Sequence, residues 1–193
     1  MRLLYLFTMI SCLQLTNCTT KRLAPEEYIK WYQKNEAQFT FAPKTANGVN
    51  YSLSYFPKEV IQAKERLMAG SAADKTNELV SFRLRIQLVN TGQKIIDYDK
   101  HSLLPTSKRS SYVSNEMVHS FYLLRNNQEI PCEYVFSEFT LSQFSILDVE
   151  IDVDVKELIH ADQLLFKDSL LSGENISFSL DKVIDIKKPR LKK

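Results

Sequence analysis

The sequence predicts a mainly β, sandwich-like domain with helices on its N-terminal side. Three observations carry that expectation. "LVSFRLRIQLVN" (79–90) alternates apolar and polar residues with the two-residue period of a strand. "SILDVEIDVDV" (145–155) does the same toward its end. Helical spacing, by contrast, is clearest in two segments of the N-terminal third, and extended segments at roughly regular intervals dominate the rest of the chain. The alternative is an α+β domain with a single antiparallel sheet.

Met1-Arg2 is a minimal positive start, and Leu3 to Leu15 carries no charge. That run falls short of the about 20 apolar residues a spanning helix needs. It has the length of a secretory apolar core, about 7–15 residues. It ends in Leu15-Thr16-Asn17-Cys18, which resembles a bacterial lipoprotein signal. Leu15 and Thr16 fit that pattern, while Asn17 departs from the usual small residue and matches the looser form found in Bacteroidetes-type bacteria. The resemblance implies cleavage before Cys18 and lipidation of its thiol. Cys12 is the rival, but it would leave only Leu3 to Ile10 as the apolar core. The expected divisions are a signal peptide (1–17), a lipidated tether (18–23), one globular β-rich domain (24–186) and a basic tail (187–193).

With Cys12 removed and Cys18 acylated, Cys132 stands alone, so no disulfide can form within the mature chain. Its setting, "EIPCEYVF", reads as a buried thiol acting as a small hydrophobe. The formal charge is +2, too close to neutral for nucleic acid to be the expected partner. Four glycines in the chain exclude a Gly-rich phosphate cradle.

"APEEYIKWYQKNE" (24–36) reads as a helix with Pro25 in its first turn and an aromatic stripe at Tyr28, Trp31 and Tyr32. "QFTF" (38–41) and "VNYSLSYF" (49–56) alternate on either side of Asn47-Gly48, which predicts a hairpin. "PKEVIQAKERLMAG" (57–70) reads as a second helix with Val60, Ile61, Lys64, Leu67 and Met68 on its face. Residues 91–111 read as irregular, and 112–124 fits helix or strand equally. "RNNQ" (125–128) is a turn, 129–139 reads as extended, and "DQLLFKD" and "NISFSLDKV" read as two further strands.

"RLAPEEYIKWYQ" after the cysteine and "LSYFPKEVIQAKE" downstream resemble a widespread Bacteroidetes-type lipoprotein family. Its mature chain opens on an L-x-P-x-E-Y/F helix. The resemblance covers about the first third of the mature chain. It implies an envelope location and no particular activity.

No catalytic constellation is expected. Asp148, Glu150, Asp152 and Asp154 recur every second residue, which places them on one strand face. Calcium needs about 6–8 oxygens converging from loops, so a solvated face guarding a sheet edge is the expectation. His101, His119 and His160 lack zinc spacing. Glu26, Glu27 and Glu65 read as helix-surface charges rather than a hydrolytic pair. The aromatics of the N-terminal third read as core rather than as a glycan platform. The tail "KKPRLKK" carries five positive charges and reads as solvated, with an anionic membrane or wall polymer as its alternative partner.

The expectation is a non-enzymatic accessory or binding protein of the cell envelope, without cofactor or metal. It is held to the outer membrane by its N-terminal lipid and faces the periplasm rather than the cell surface. A protein or a glycan of the envelope is the expected partner. A glycan- or peptide-binding surface protein and an envelope hydrolase are the alternatives. If the anchor reading is right, Cys18→Ser leaves the precursor uncut and without acyl label on fractionation. Normal cutting and labelling of that variant would contradict it.

Overall fold

The computed structural model describes residues 22–69, 78–89, 93–98, 100–138, 145–184 and 186–192. Cys12 and Cys18 lie outside them. The described chain is mainly β, built around two facing antiparallel sheets with helices packed at the N-terminal side. The larger sheet has five strands in the order β2-β3-β4-β8-β7: β2 (Lys44–Ala46), β3 (Val49–Phe56), β4 (Leu79–Leu88), β8 (Ile146–Asp154) and β7 (Tyr134–Glu138). The smaller has four in the order β10-β9-β5-β6: β10 (Asn175–Ser179), β9 (Gln163–Lys167), β5 (Phe121–Arg125) and β6 (Gln128–Pro131).

The alternation in the sequence becomes the core. Tyr51, Leu53, Phe82, Leu84, Val149 and Ile151 of the larger sheet are buried, as are Phe121, Leu164, Phe166 and Phe178 of the smaller. The Tyr51 and Phe166 rings meet across the sheets at 6.3 Å, and Phe121 stacks on Phe166 at 4.6 Å. Both predicted Asn turns have the conformation that two-residue hairpins require. Asn47 and Gly48 have φ of 48° and 80°, and Asn126 and Asn127 have 50° and 63°.

Helix α1 (Pro25–Lys34) starts where the sequence places it. The Ala24 N–H donates to Glu27 at 2.9 Å, and the Asn35 side chain closes the far end on the Trp31 carbonyl. "QFTF" is not the first strand of the hairpin. Glu36–Phe39 is a helical turn, α2, because Phe39 is drawn among the rings of Trp31, Tyr32 and Tyr55. The hairpin strand is β2, further along the chain. Helix α3 (Lys58–Ala69) buries Val60 and Ala63 against α1, while Leu67 and Met68 are exposed. Its face is therefore rotated from the predicted one, because two helices in close contact favour the small Ala63. Segment 112–124 is both things in turn: helical turns through Ser120, then β5. The segment expected to be one extended run, described through Glu138, holds two strands on different sheets, since the chain crosses between the sheets at Cys132-Glu133.

Two further expectations change. Strand β8 is interior, flanked by β4 and β7, so its acidic row guards no edge. The backbone of the basic tail is tied down, while its Lys187, Arg190 and Lys192 side chains stay exposed as expected. Strand β11 (Arg190–Leu191) runs parallel to β1 (Arg22–Leu23), and the Lys192 N–H donates to the Leu23 carbonyl at 2.8 Å. Lys188 pairs with Glu59 at 2.9 Å.

The loop between β9 and β10 wraps around Asp168, which is buried. One carboxylate oxygen accepts from the Leu170 and Leu171 N–H groups at 2.9 and 3.0 Å. The other accepts from the Ser172 N–H and hydroxyl, both at 2.8 Å, and from the Tyr51 hydroxyl of the opposite sheet. Asp168→Ala would orphan several buried donors and should cost at least about 3 kcal/mol, with Tyr51→Phe at about 1–3 kcal/mol. Urea unfolding tests this, and an unchanged midpoint for Asp168→Ala would refute it.

Candidate functional site: a groove where the chain changes sheets

Pro131, Cys132 and Glu133 carry the chain from β6 to β7, which are outermost in their respective sheets. A groove of about 340 Å³ opens at that crossing. Its apolar lining comes from Leu123 and Ile130 of the smaller sheet, Val153 of the larger, and Pro131 between them. Glu133, Asp152, Asp154 and Glu157 contribute four carboxylates, and Tyr134 completes the wall. Its volume falls at the lower end of the range of small-ligand pockets, about 300–1,000 Å³, and its lining is more acidic than theirs.

Local sequence explains each wall. The end of β8 delivers Asp152 and Asp154 on alternate positions. Asp154 accepts from the Lys156 N–H at 2.8 Å and so starts the short helical turn Val155–Leu158, which presents Glu157. Asp152 accepts a short hydrogen bond from Ser81. Tyr134 and Phe136 lie on the outer face of β7 and are 51% and 57% exposed.

Cys132 is part-buried: it packs against the core as a small hydrophobe, as the sequence suggests, and also lines the groove. Burial pushes its thiol up to about 12, so it stays protonated at neutral pH and is a poor nucleophile. The rest of the acidic row serves the sheet face. Arg85 meets Asp148 through two bonds of 2.8 Å, and Arg83 stands 3.7 Å from Glu150. The Arg85 bond holds the Asp148 carboxyl below its ordinary value. The stabilisation is present above the ordinary carboxylate range and is lost as pH falls through the lowered value. Exposure keeps it within about 1 kcal/mol.

The other sequence candidates do not converge. His119 and His160 are exposed and His101 is half-buried, each on a different segment. Among the described residues no cluster of His, Cys, Asp and Glu is arranged to hold a metal ion. Glu26 and Glu27 lie at the start of α1 and Glu65 lies on α3. The N-terminal aromatics interlock: Tyr28, Tyr32, Phe39, Phe41, Tyr51 and Tyr55 are buried, and Trp31 and Phe56 half-buried. No helix of the described residues is long and apolar enough to cross a membrane.

The groove was not singled out by sequence. The signal that could have found it is Pro131 inside an otherwise extended run, since proline marks a place where strand pairing stops. Comparison with family models, with curated proteins and with solved structures returns no match.

Proposed function

We propose that this protein is a lipid-anchored envelope protein with a non-enzymatic binding role, and that the groove beside β7 holds an extended, basic peptide segment of an envelope partner. The observation that carries the reading is the groove's combination of an apolar floor, four carboxylates and exposed Tyr134, with exposed Phe136 further along the same outermost strand. An extended peptide alternates its side chains, so apolar ones can enter the floor while basic ones meet the carboxylates. Cys132, kept protonated by burial, is not an activated thiol.

The lipoprotein-like ending at Cys18 and the family resemblance of the N-terminal motifs support an anchor at the outer membrane with the domain in the periplasm. Cys18 stands four residues before Arg22, the first residue of β1. A lipid on Cys18 then lies at most about 14 Å from the folded domain. A glycan is the second reading, favoured by the same two exposed rings, which can stack on sugars.

A blocked peptide alternating lysine and valine is the probe. Its titration should shift the amide resonances of Cys132, Tyr134 and Val153, whereas a glutamate–valine peptide should not. Glu133→Lys with Glu157→Lys should weaken binding more than about tenfold. Equal binding of both peptides would overturn the peptide reading, and shifts at Tyr134 with a glycan fragment alone would replace it with the second.

A further inference from the structure

We propose that a second cleft, beside the point where the N-terminal segment leaves the domain, is the face on which the domain rests against an anionic lipid bilayer. The cleft has a volume of about 570 Å³. Leu23, Trp31 and Pro189 form its apolar surface, and Lys30, Lys34, Lys187 and Lys188 surround them. The single acid among its lining residues, Glu27, already accepts from the Ala24 N–H at the start of α1. Lys188 is paired with Glu59. Lys30, Lys34 and Lys187 have no ion pair among the described residues, and all three are exposed.

The adjoining β1–β11 pair adds an independent observation. Its register sets Arg22 directly opposite Arg190, and both are exposed. Like charges opposite one another weaken a strand pair. An anionic surface converts that repulsion into attraction. The sequence concentrates five cations in its last seven residues, and the fold brings the described part of that tail against α1 and β1.

The occupant follows from where the chain goes. The described chain starts at Arg22, next to Leu23 of this cleft. On the anchor reading, on which this inference rests, the acylated Cys18 is at most about 14 Å away. The nearest anionic groups are then the phosphates of the lipid head groups, and not a solute. Trp31 suits that boundary, with an apolar ring against Tyr28 and Phe39 and a polar edge for the interface. Each base at such a surface strengthens the contact about fivefold, and the effect decays within a Debye length.

Trp31 is the only tryptophan in the chain, so its fluorescence reports on this cleft alone. The protein as produced in cells is reconstituted into vesicles of brominated phosphatidylcholine, with or without phosphatidylglycerol. Quenching of Trp31 is expected in the anionic vesicles, reversed by about 0.5 M salt, and several-fold weaker in the neutral ones. Lys30→Gln with Lys187→Gln should weaken the anionic contact about 30-fold while leaving the melting temperature unchanged. Equal quenching in both vesicles, or none in either, would overturn the proposal while the protein's retention on neutral vesicles still supports the anchor. Loss from neutral vesicles with quenching kept in anionic ones would instead sustain the cleft and refute the anchor. An equal emission shift with glycerol phosphate in solution would also overturn the bilayer as occupant.

Discussion

Asp168 is 2% exposed, yet its carboxylate sits between the two sheets. Such a group is tolerated only when its oxygens are fully engaged, because burying a charge without partners is costly. Here three backbone N–H groups, the Ser172 hydroxyl and the Tyr51 hydroxyl all point at it. Burial, together with the Asp168 carboxylate, pushes the Tyr51 phenol far above its ordinary range, so it remains a donor. The loop that Asp168 organises is then gripped from outside. Asn47 in the β2–β3 turn donates to the Ser172 carbonyl at 2.8 Å, and Tyr98 donates to the Asn47 carbonyl at 2.8 Å. A Cβ on Gly48 would lie 3.1 Å from that tyrosine oxygen, which explains why the turn takes glycine there. One buried carboxylate thus couples the turn of one sheet to the loop of the other.

The Asp168 network joins β3 of the larger sheet to the β9–β10 loop of the smaller, and the chain crosses between the sheets again at Cys132-Glu133, where the groove lies. The outer face of the larger sheet contributes in a different way. Ser81, Arg83 and Arg85 on β4 stand opposite Asp152, Glu150 and Asp148 on β8, so successive rows carry complementary groups. Such a face fixes register more than it stabilises, because exposed pairs contribute little each. At the end of the row Asp152 and Asp154, bonded to the Ser81 hydroxyl and the Lys156 N–H, also line the groove.

The sequence was most legible where one strand buries one face. In β3, β4 and β8 the buried positions are those the alternation marks, with Ser81 buried as the exception, and the two Asn-based turns need only local backbone preferences. It misled where a tertiary partner decides. Phe39 prefers a ring cluster over a strand, and the tail becomes a strand because β1 is there to receive it. The acidic row read as an edge, since nothing local announces Arg83 and Arg85 as its neighbours from a strand far away in the sequence. Asp168 read as the end of a strand for the same reason: its donors are a loop and a tyrosine in another sheet. The groove is assembled from separate segments of both sheets, and only Pro131 hinted at it.

The Asp168 loop therefore belongs to the core and is no ordinary surface connection. Hydrogen exchange at single-residue resolution tests that most directly. The amides of Leu170, Leu171 and Ser172 should exchange only through global unfolding, with the same free energy as Phe82 and Leu84 in β4. Exchange of those three amides at open-loop rates while β4 stays protected would contradict the claim that this carboxylate holds the two sheets together.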